Sequence, residues 1–218
     1  MIHIQQLSKS YGTKEVLKNI SLRLEPGKVY GIVGQNGAGK TTFFQCLAGL
    51  LPFRGTIESA FTPLKNSLGY LATQPYLMPR LTGQEYLKLL CLARGVSNIR
   101  LKEQNIFDLP LQEYAEHYST GMKKKLALLG ILLQKNEVFI LDEPFNGVDI
   151  HSNLLITKII QHLRAQGKTI LLASHIFATL KESCDVIYPL ENKQFGAPIP
   201  KNAFDQLDAK MQQEAFKR

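Results

Sequence analysis

The sequence predicts an α/β fold with a mostly parallel sheet, an N-terminal antiparallel β subdomain and an inserted α-helical lobe. The apolar run 29–33, which a glycine-rich turn joins to the apolar-rich segment 43–48, indicates the parallel part. Apolar residues alternate with period two at 2–4 and 16–24, which indicates antiparallel strands with one solvated face. From residue 81 to about 118, apolar side chains recur at helical spacing, which indicates the lobe.

The length and composition fit one soluble domain. A chain of 218 residues with 44% apolar residues can build a full core. We assign the whole chain, residues 1–218, to this single domain. Its core comprises residues 1–75 and 134–218, and its helical lobe comprises residues 76–133. Three cysteines, odd in number and far apart, exclude a CxxC metal knuckle and give no disulfide framework, so we expect reduced, structural cysteines.

The chain has no pattern typical of a membrane span. The longest apolar run, residues 126–133, is much shorter than the roughly 18 residues that a membrane helix needs. Its start has no basic region followed by an apolar core, which a secretory signal would have. We therefore expect the protein in the cytoplasm.

The net charge is +8, with a pI of about 9.3. It is compatible with a nucleic-acid partner, an anionic membrane surface, or simply a basic surface on a nucleotide-binding protein. The basic residues are scattered apart from the run Lys123–Lys125, whose favoured interpretation is a solvated helix face. Charge alone therefore does not choose among these partners.

The glycine-rich turn has the pattern of a P-loop in its required context, after a strand and before a helix. Its glycines let backbone N–H groups point inward, and the positive end of the following helix dipole faces the same spot, so that a polyphosphate can bind. Lys40 would reach the outer phosphates, and the Thr41 hydroxyl would coordinate Mg²⁺. The core is therefore that of a P-loop NTPase. Its predicted nucleotide-binding residues are Gly34, Asn36, Gly37, Ala38, Gly39, Lys40, Thr41 and Thr42.

Before the helical lobe, two side chains, Tyr11 and Gln74, could either contact a ligand or have only a structural role. Residues 9–12 form a predicted turn carrying one aromatic, Tyr11, which could cap the sheet edge. Residues 56–58 and 67–72 read as strands, and Gln74 follows the second of them, where a side chain can reach a ligand or simply be solvated. A helix is predicted over 84–94.

The second half of the chain alternates helices with buried strands. Ser119 and Gly121 begin a helix, either as an ordinary serine N-cap or as a second phosphate site. The strand 137–144 contains Asp142 and Glu143 at its carboxyl end, beside the P-loop in a doubly wound sheet. There an aspartate can join the Mg²⁺ shell and a glutamate can take a proton from water.

Three further elements complete the predicted sheet and its surroundings. A helix over 150–165 leads to the strand 168–173, which ends at His175, either a capping residue or a ligand-facing one. Residues 184–188 read as a last strand, and residues 202–217 as a surface helix.

Taken together, these motifs resemble the ATP-binding subunit of an ABC (ATP-binding cassette) transporter, and the resemblance covers essentially the whole chain. The ordered motifs are the P-loop at 34–42, Gln74, the signature at 119–122, the acidic strand 138–143, the turn 146–149 and His175. Six motifs in the right order are far more specific than any one of them.

The resemblance implies a mechanism. Tyr11 stacks on adenine, Asp142 and Thr41 hold Mg²⁺, and Glu143 is the base. His175 orients the γ-phosphate and water, and Gln74 senses Mg²⁺ and relays to the helical lobe. Two copies, or this chain and a related subunit, pair head to tail, and Ser119 and Gly121 of one subunit contact the ATP held by the other. The pair drives a membrane permease from the inner face of the membrane.

The signature departs from the family's usual Ser-Gly-Gly-Gln, with Thr120 for the first glycine and Met122 for the glutamine. Ser119 and Gly121 are retained, so phosphate contacts should survive, while affinity or coupling could change. A signature with methionine followed by basic residues resembles the signatures of subunits that pair with separately encoded permeases of the exporter type.

Two other classes of protein remain as alternatives. The positive charge favours a non-transport ABC ATPase that acts on nucleic acid or ribosomes. Such proteins usually have two cassettes or a long insertion, whereas this chain has one cassette. A GTPase or small-molecule kinase would need a guanine-selecting Asn-Lys-x-Asp or a lid, and residues 192–195 lack the aspartate. Nucleic acid is therefore not the expected partner.

Overall fold

A computed structural model describes residues 1–208 of the chain. The strands in this part are β1 (Ile2–Tyr11), β2 (Lys14–Leu24), β3 (Val29–Val33), β4 (Arg54–Ser59), β5 (Leu68–Leu71), β6 (Val138–Asp142), β7 (Thr169–Ala173), β8 (Val186–Glu191), β9 (Gln194–Phe195) and β10 (Ile199–Pro200). The α-helices are α1 (Lys40–Leu47), α2 (Gly83–Leu92), α3 (Leu101–Gln104), α4 (Thr120–Leu133), α5 (Ile150–Ala165) and α6 (Phe177–Ser183).

The larger sheet has seven strands in the order β10-β8-β3-β7-β6-β5, with β9 beside β8. Strands β8, β3, β7, β6 and β5 run parallel to their neighbours, while β9 and β10 pair antiparallel with β8. Every residue of β6 and β7 is buried, as expected for central strands covered on both faces. This is the mostly parallel sheet that the sequence predicts.

The N-terminal strands form a separate three-stranded antiparallel sheet in the order β2-β1-β4. The predicted turn at 9–12 is wrong in its position, because β1 continues to Tyr11, which pairs with Lys14, and the chain turns at residues 12–13. The register of β1 shifts at three places between Ile4 and Ser10. These bulges interrupt the alternation of apolar residues, so the second half of the strand has no period-two signal.

Two hydrophobic cores lie on opposite faces of the larger sheet, and the strands alternate between them. Phe139 and Leu141 of β6 belong to the core that contains α2, α4 and α5. Val138 and Ile140 belong to the core shared with α1 and the antiparallel sheet. The alternation with period two explains how one strand supplies both cores.

Between β5 and β6 the described chain has helices, turns and loops, and its only β pairing is an isolated bridge from Thr82 to Tyr114. Helix α2 packs on α4, and α4 also lies against β5, where Gly69 leaves room for Ile131. The division into a core and a lobe at residues 76 and 133 stays a prediction, since α4 contacts both.

The last described segment differs from the prediction in two ways. Strand β8 extends beyond residue 188 to Glu191 and turns back into β9 through Asn192 and Lys193, which both have left-handed φ values of 47° and 69°. The segment 192–195 is thus a tight hairpin. Of the helix predicted over 202–217, the structure shows a 3₁₀ turn and a helical segment up to residue 208, and residues 209–218 lie outside the described part.

All three cysteines are free and buried, as predicted. Cys46 lies in α1, Cys91 in α2, and Cys184 just after α6. Burial raises the pKa of each thiol above its ordinary value. These cysteines therefore behave as small apolar core residues.

Helix α2 begins with a capping box whose removal should destabilise the fold. The Thr82 hydroxyl accepts a hydrogen bond from the Glu85 N–H, and the Glu85 carboxylate accepts one from the Thr82 N–H at 2.8 Å. Thr82→Ala should lower the free energy of unfolding by about 1 kcal/mol, measured by urea denaturation. Thr82→Ser is the matched control and should retain wild-type stability. Equal stability of the alanine variant would show that the cap contributes nothing.

Candidate active site

The glycine-rich loop joins β3 to α1 as predicted, and two of its glycines have left-handed backbone angles. Gly37 has φ 80° and Gly39 has φ 110°, values that side chains disfavour. A Cβ on Gly39 would also lie 2.9 Å from Leu17 Cδ2. The loop can therefore pass close to β2 and present the first N–H groups of α1, which attract anions.

The Lys40 side chain lies inside this loop. Its Nζ donates hydrogen bonds to the carbonyl oxygens of Gly34, at 2.7 Å, and Gln35, at 3.2 Å, and the residue is 9% exposed. An ammonium group has three N–H donors, so one is left for a ligand. The loop thus surrounds a positive charge that is already held in place.

Asp142 and Thr41 meet where β6 ends. The Thr41 hydroxyl donates to Asp142 Oδ2 at 2.7 Å, and Asp142 is 1% exposed. Burial raises the pKa of Asp142 above its ordinary value, and hydrogen bonds from Thr41 and Thr73 oppose that rise. The pair supplies two oxygen atoms of the kind that Mg²⁺ prefers.

Glu143 and His175 form a second pair at the same edge of the sheet. Glu143 Oε2 lies 2.7 Å from His175 Nδ1 and also accepts the backbone N–H of His175 at 3.2 Å. Glu143 has φ 53°, a left-handed value that is unfavourable for a residue with a side chain, and its N–H donates to Ala173 O. Such a conformation turns the carboxylate away from the strand direction and toward His175.

A cleft of about 470 Å³ lies between the loop, the hairpin of β1 and β2, and the end of β6. Its lining residues are Tyr11, Lys14, Val16, Asn36, Gly37, Gly39, Lys40, Thr41, Thr42, Thr73, Asp142 and Glu143. Tyr11 is 48% exposed, which leaves its ring accessible to a base. The structure therefore brings most of the predicted site residues together.

Lys14, Val16 and Thr73 also line the cleft, although they are not among the site residues predicted from the sequence. The signal for Thr73 was its place directly after a strand and before Gln74, where polar side chains face the carboxyl edge. Lys14 and Val16 gave no such signal, because their position depends on how the β1–β2 hairpin folds over the loop.

Gln74, Ser119 and Gly121 are outside the lining of this cleft among the described residues. The Ser119 hydroxyl accepts the Met122 N–H at 3.2 Å and so caps α4. A hydroxyl can donate at the same time, so this cap does not prevent a phosphate contact. Gly121 lies against the turn after β6, where a Cβ would be 2.6 Å from Gly147 O.

The favoured interpretation of the run Lys123–Lys125 as a solvated helix face is wrong for two of its three lysines. Lys124 is 2% exposed, and the Lys125 side chain is 15% exposed and pairs with Asp149 at 3.2 Å. Lys124 lies three, four and seven residues before Ala127, Leu128 and Ile131, which are buried. That helical spacing was a readable signal that Lys124 faces inward.

Within the described residues, no group of three or more His, Cys, Asp and Glu side chains is placed to hold a metal ion. The same part of the chain has no helix long and apolar enough to cross a membrane.

The family model described as ABC transporter matches residues 17–146. The chain belongs to the ABC transporter family. The ABC-type transporter ATP-binding protein EcsA of Bacillus subtilis is 30% identical over 213 residues, covering 90% of this chain and 86% of EcsA. Family membership confirms the predicted resemblance.

Two solved structures share the fold of this ABC protein. An ATP-binding subunit of an ABC transporter has a TM-score of 0.82 at 28% identity, covering 95% of this chain and 93% of the other. A dimeric ATP-binding cassette, in a post-hydrolysis state bound to ADP and Pi, has a TM-score of 0.83 at 19% identity, covering 92% and 99%. The predicted fold class is confirmed, and the chain is the ATP-binding, ATP-hydrolysing subunit of an ABC transporter.

Gly121 should not tolerate a side chain. In Gly121→Ala the new Cβ has to move α4 away from Gly147 O, and such overpacking costs about 1–3 kcal/mol. We expect a lower free energy of unfolding by urea denaturation and lower ATP turnover. Thr120→Ala, at an exposed neighbouring position, is the control and should keep wild-type stability. Wild-type stability of Gly121→Ala would contradict the close approach.

Proposed function

We propose that the cleft binds ATP with Mg²⁺ and that Glu143, held by His175, activates the water that hydrolyses it. The observation that carries this proposal is that the P-loop, the Thr41–Asp142 pair and the Glu143–His175 pair meet at one edge of the sheet. Phosphoryl transfer depends mainly on positioning and charge stabilisation, and this edge provides both.

Tyr11, the loop and Lys40 bind the nucleotide. The exposed ring of Tyr11 stacks on adenine, while the loop amides and the α1 N-terminus hold the phosphates. Lys40 directs its remaining N–H donor to an outer phosphate oxygen. Gly34, Asn36, Ala38 and Thr42 complete this cradle.

Thr41 and Asp142 would hold the Mg²⁺, and Gln74, in the loop after β5, would be a further ligand. The fit is supported by Asp142 itself, since a carboxylate that is buried and whose pKa is raised by burial gains from a nearby cation. When bound, Mg²⁺ neutralises charge that develops on the phosphate oxygens. Two protein oxygens are enough, because Mg²⁺ commonly takes its other ligands from phosphates and water.

Glu143 acts as the general base. Its carboxylate takes a proton from water as the water oxygen attacks the γ-phosphorus, and the bond from that phosphorus to the bridging oxygen breaks, releasing ADP. The hydrogen bond from His175 fixes the carboxylate, so the base does not have to be reoriented during the reaction.

A second subunit completes each site. Ser119 and Gly121 lie at the start of α4 and outside their own cleft, so they serve an ATP bound to another copy or to a related subunit. A cassette of similar fold was solved as a dimer bound to ADP and Pi, which is consistent with pairing of two subunits.

The membrane partner is a separate permease, which holds this subunit at the inner face of the cell membrane. Tyr76 and Met78, just after Gln74, are 78% and 45% exposed, so an apolar surface is available beside the residue to which we assign the sensing of Mg²⁺. Binding and hydrolysis would therefore be relayed to the permease from this surface. Nucleic acid is disfavoured, because part of the basic charge, at Lys9, Lys40 and Lys124, is buried.

Glu143→Gln should reduce ATP turnover by about 100-fold or more, because the amide cannot accept the proton from water. Binding of a fluorescent ATP analogue should persist, and size-exclusion chromatography with ATP and Mg²⁺ should show a stabilised dimer. Glu58→Gln, on an exposed position of β4, is the control and should hydrolyse ATP normally. Normal turnover of Glu143→Gln would exclude Glu143 as the base.

Tyr11→Ala should raise the dissociation constant of ATP about 5- to 150-fold, because stacking on a base is worth about 1–3 kcal/mol. Tyr11→Phe retains the ring and should bind ATP normally. Inorganic tripolyphosphate has no base, so its affinity, measured by calorimetry, should be the same for both variants and the wild type. Unchanged ATP affinity in Tyr11→Ala would remove Tyr11 from the site.

A further inference from the structure

Lys124 is a buried lysine whose ammonium group bonds to backbone rather than to a carboxylate. It is 2% exposed, and its Nζ donates to Glu143 O and to Asn146 O, each at 2.7 Å. Burial lowers the pKa of Lys124, and the carboxylates of Glu143 and Asp142 oppose that change. Burying an ammonium group costs free energy, and a methionine of similar length would avoid that cost. The presence of a lysine at position 124 therefore indicates a role other than stabilising the fold.

The two carbonyl groups belong to the turn that begins at the catalytic glutamate. The Asn146 N–H donates to Glu143 O at 3.2 Å, so this turn is closed by one peptide hydrogen bond. Glu143 also has the left-handed φ of 53°, which costs about 1–3 kcal/mol unless the surroundings impose it. Lys124 bonds to both carbonyls and so holds the main chain of Glu143 in this conformation, while His175 bonds to the side chain.

Lys124 lies five residues after Ser119 on α4. The start of this helix is the part proposed to contact the ATP held by the other subunit. Lys125 adds a bond from that helix to Asp149 at 3.2 Å, and Gly121 packs on Gly147 O. Helix α4 therefore contacts the turn 143–149 at three positions, Gly121, Lys124 and Lys125. A movement of the helix start would be transmitted to the peptide of Glu143 through the bonds of Lys124.

We propose that Lys124 is a positioning residue for ATP hydrolysis, which holds Glu143 in its reactive conformation and couples it to the start of α4. This inference rests on the proposed role of Glu143 as the base. Lys124 does not line the nucleotide cleft and contacts Glu143 only at its main chain. Its loss should therefore slow the chemical step without weakening ATP binding.

The test compares Lys124→Met with the wild type in the purified full-length chain. We expect kcat to fall about 10- to 100-fold, as for a displaced catalytic group. KM and the affinity for a fluorescent ATP analogue should stay within about twofold of the wild type. Because the carbonyl groups of Glu143 and Asn146 each lose a donor, the midpoint of thermal unfolding is measured for both proteins, and kcat is compared at a temperature where both are folded. Lys123→Met, at the partly exposed neighbouring lysine, is the matched control and should turn over ATP normally.

Lys124→Gln provides a second variant with two N–H donors and no charge. It should have a kcat between those of Lys124→Met and the wild type. For whichever variant folds, an unchanged kcat, or a loss explained entirely by a higher KM, overturns the proposal.

The double variant Lys124→Met with Glu143→Gln separates this inference from the proposed function. If Lys124 acts through Glu143, the second substitution should not lower the residual rate of Glu143→Gln any further. Additive losses would show that Lys124 acts elsewhere. Normal turnover of Glu143→Gln alone would overturn the assignment of the base, whereas an inactive Glu143→Gln with a fully active Lys124→Met would overturn only this inference.

Discussion

The candidate active site depends on one constraint, the pairing of β7 between β3 and β6. Ala173 at the end of β7 pairs with Ile32 on one side and with Asp142 on the other, so the three strands end at the same level. The P-loop, the acidic pair and His175 each follow one of these ends. Parallel pairing in this register thus gathers groups from three distant parts of the chain, as is typical of doubly wound sheets.

The sequence predicts this edge well because its signals are local. Glycines at fixed spacing, a buried run ending in two acids and a buried run ending at a histidine each mark a strand end without any knowledge of the fold. The bulged half of β1 and the lining residues Lys14 and Val16 could not be predicted in the same way. Their position depends on how two sheets pack on each other, which no single segment encodes.

The lysine run shows a different kind of failure. A cluster of charges usually indicates a solvated face, and the prediction for this run followed that general rule. The helical spacing indicates the opposite for Lys124, namely that it lies on the buried side of α4. Buried charges are rare because desolvation is costly. Here a buried charge lies beside a turn that contains a left-handed residue, which points to a functional requirement. The hydrogen bonds of Lys124 to the carbonyl groups of Glu143 and Asn146 indicate that this requirement is to hold the turn.

The three buried cysteines have a practical consequence for spectroscopy and cross-linking. Thiol reagents attack thiolates, and burial both shields these sulfur atoms and disfavours their ionisation. The natural chain should therefore react very little with maleimides. A cysteine introduced beside Ser119 and another at the rim of the cleft would carry the only reactive thiols. The proposed head-to-tail pairing can therefore be tested as a distance between labels, without first removing any natural residue.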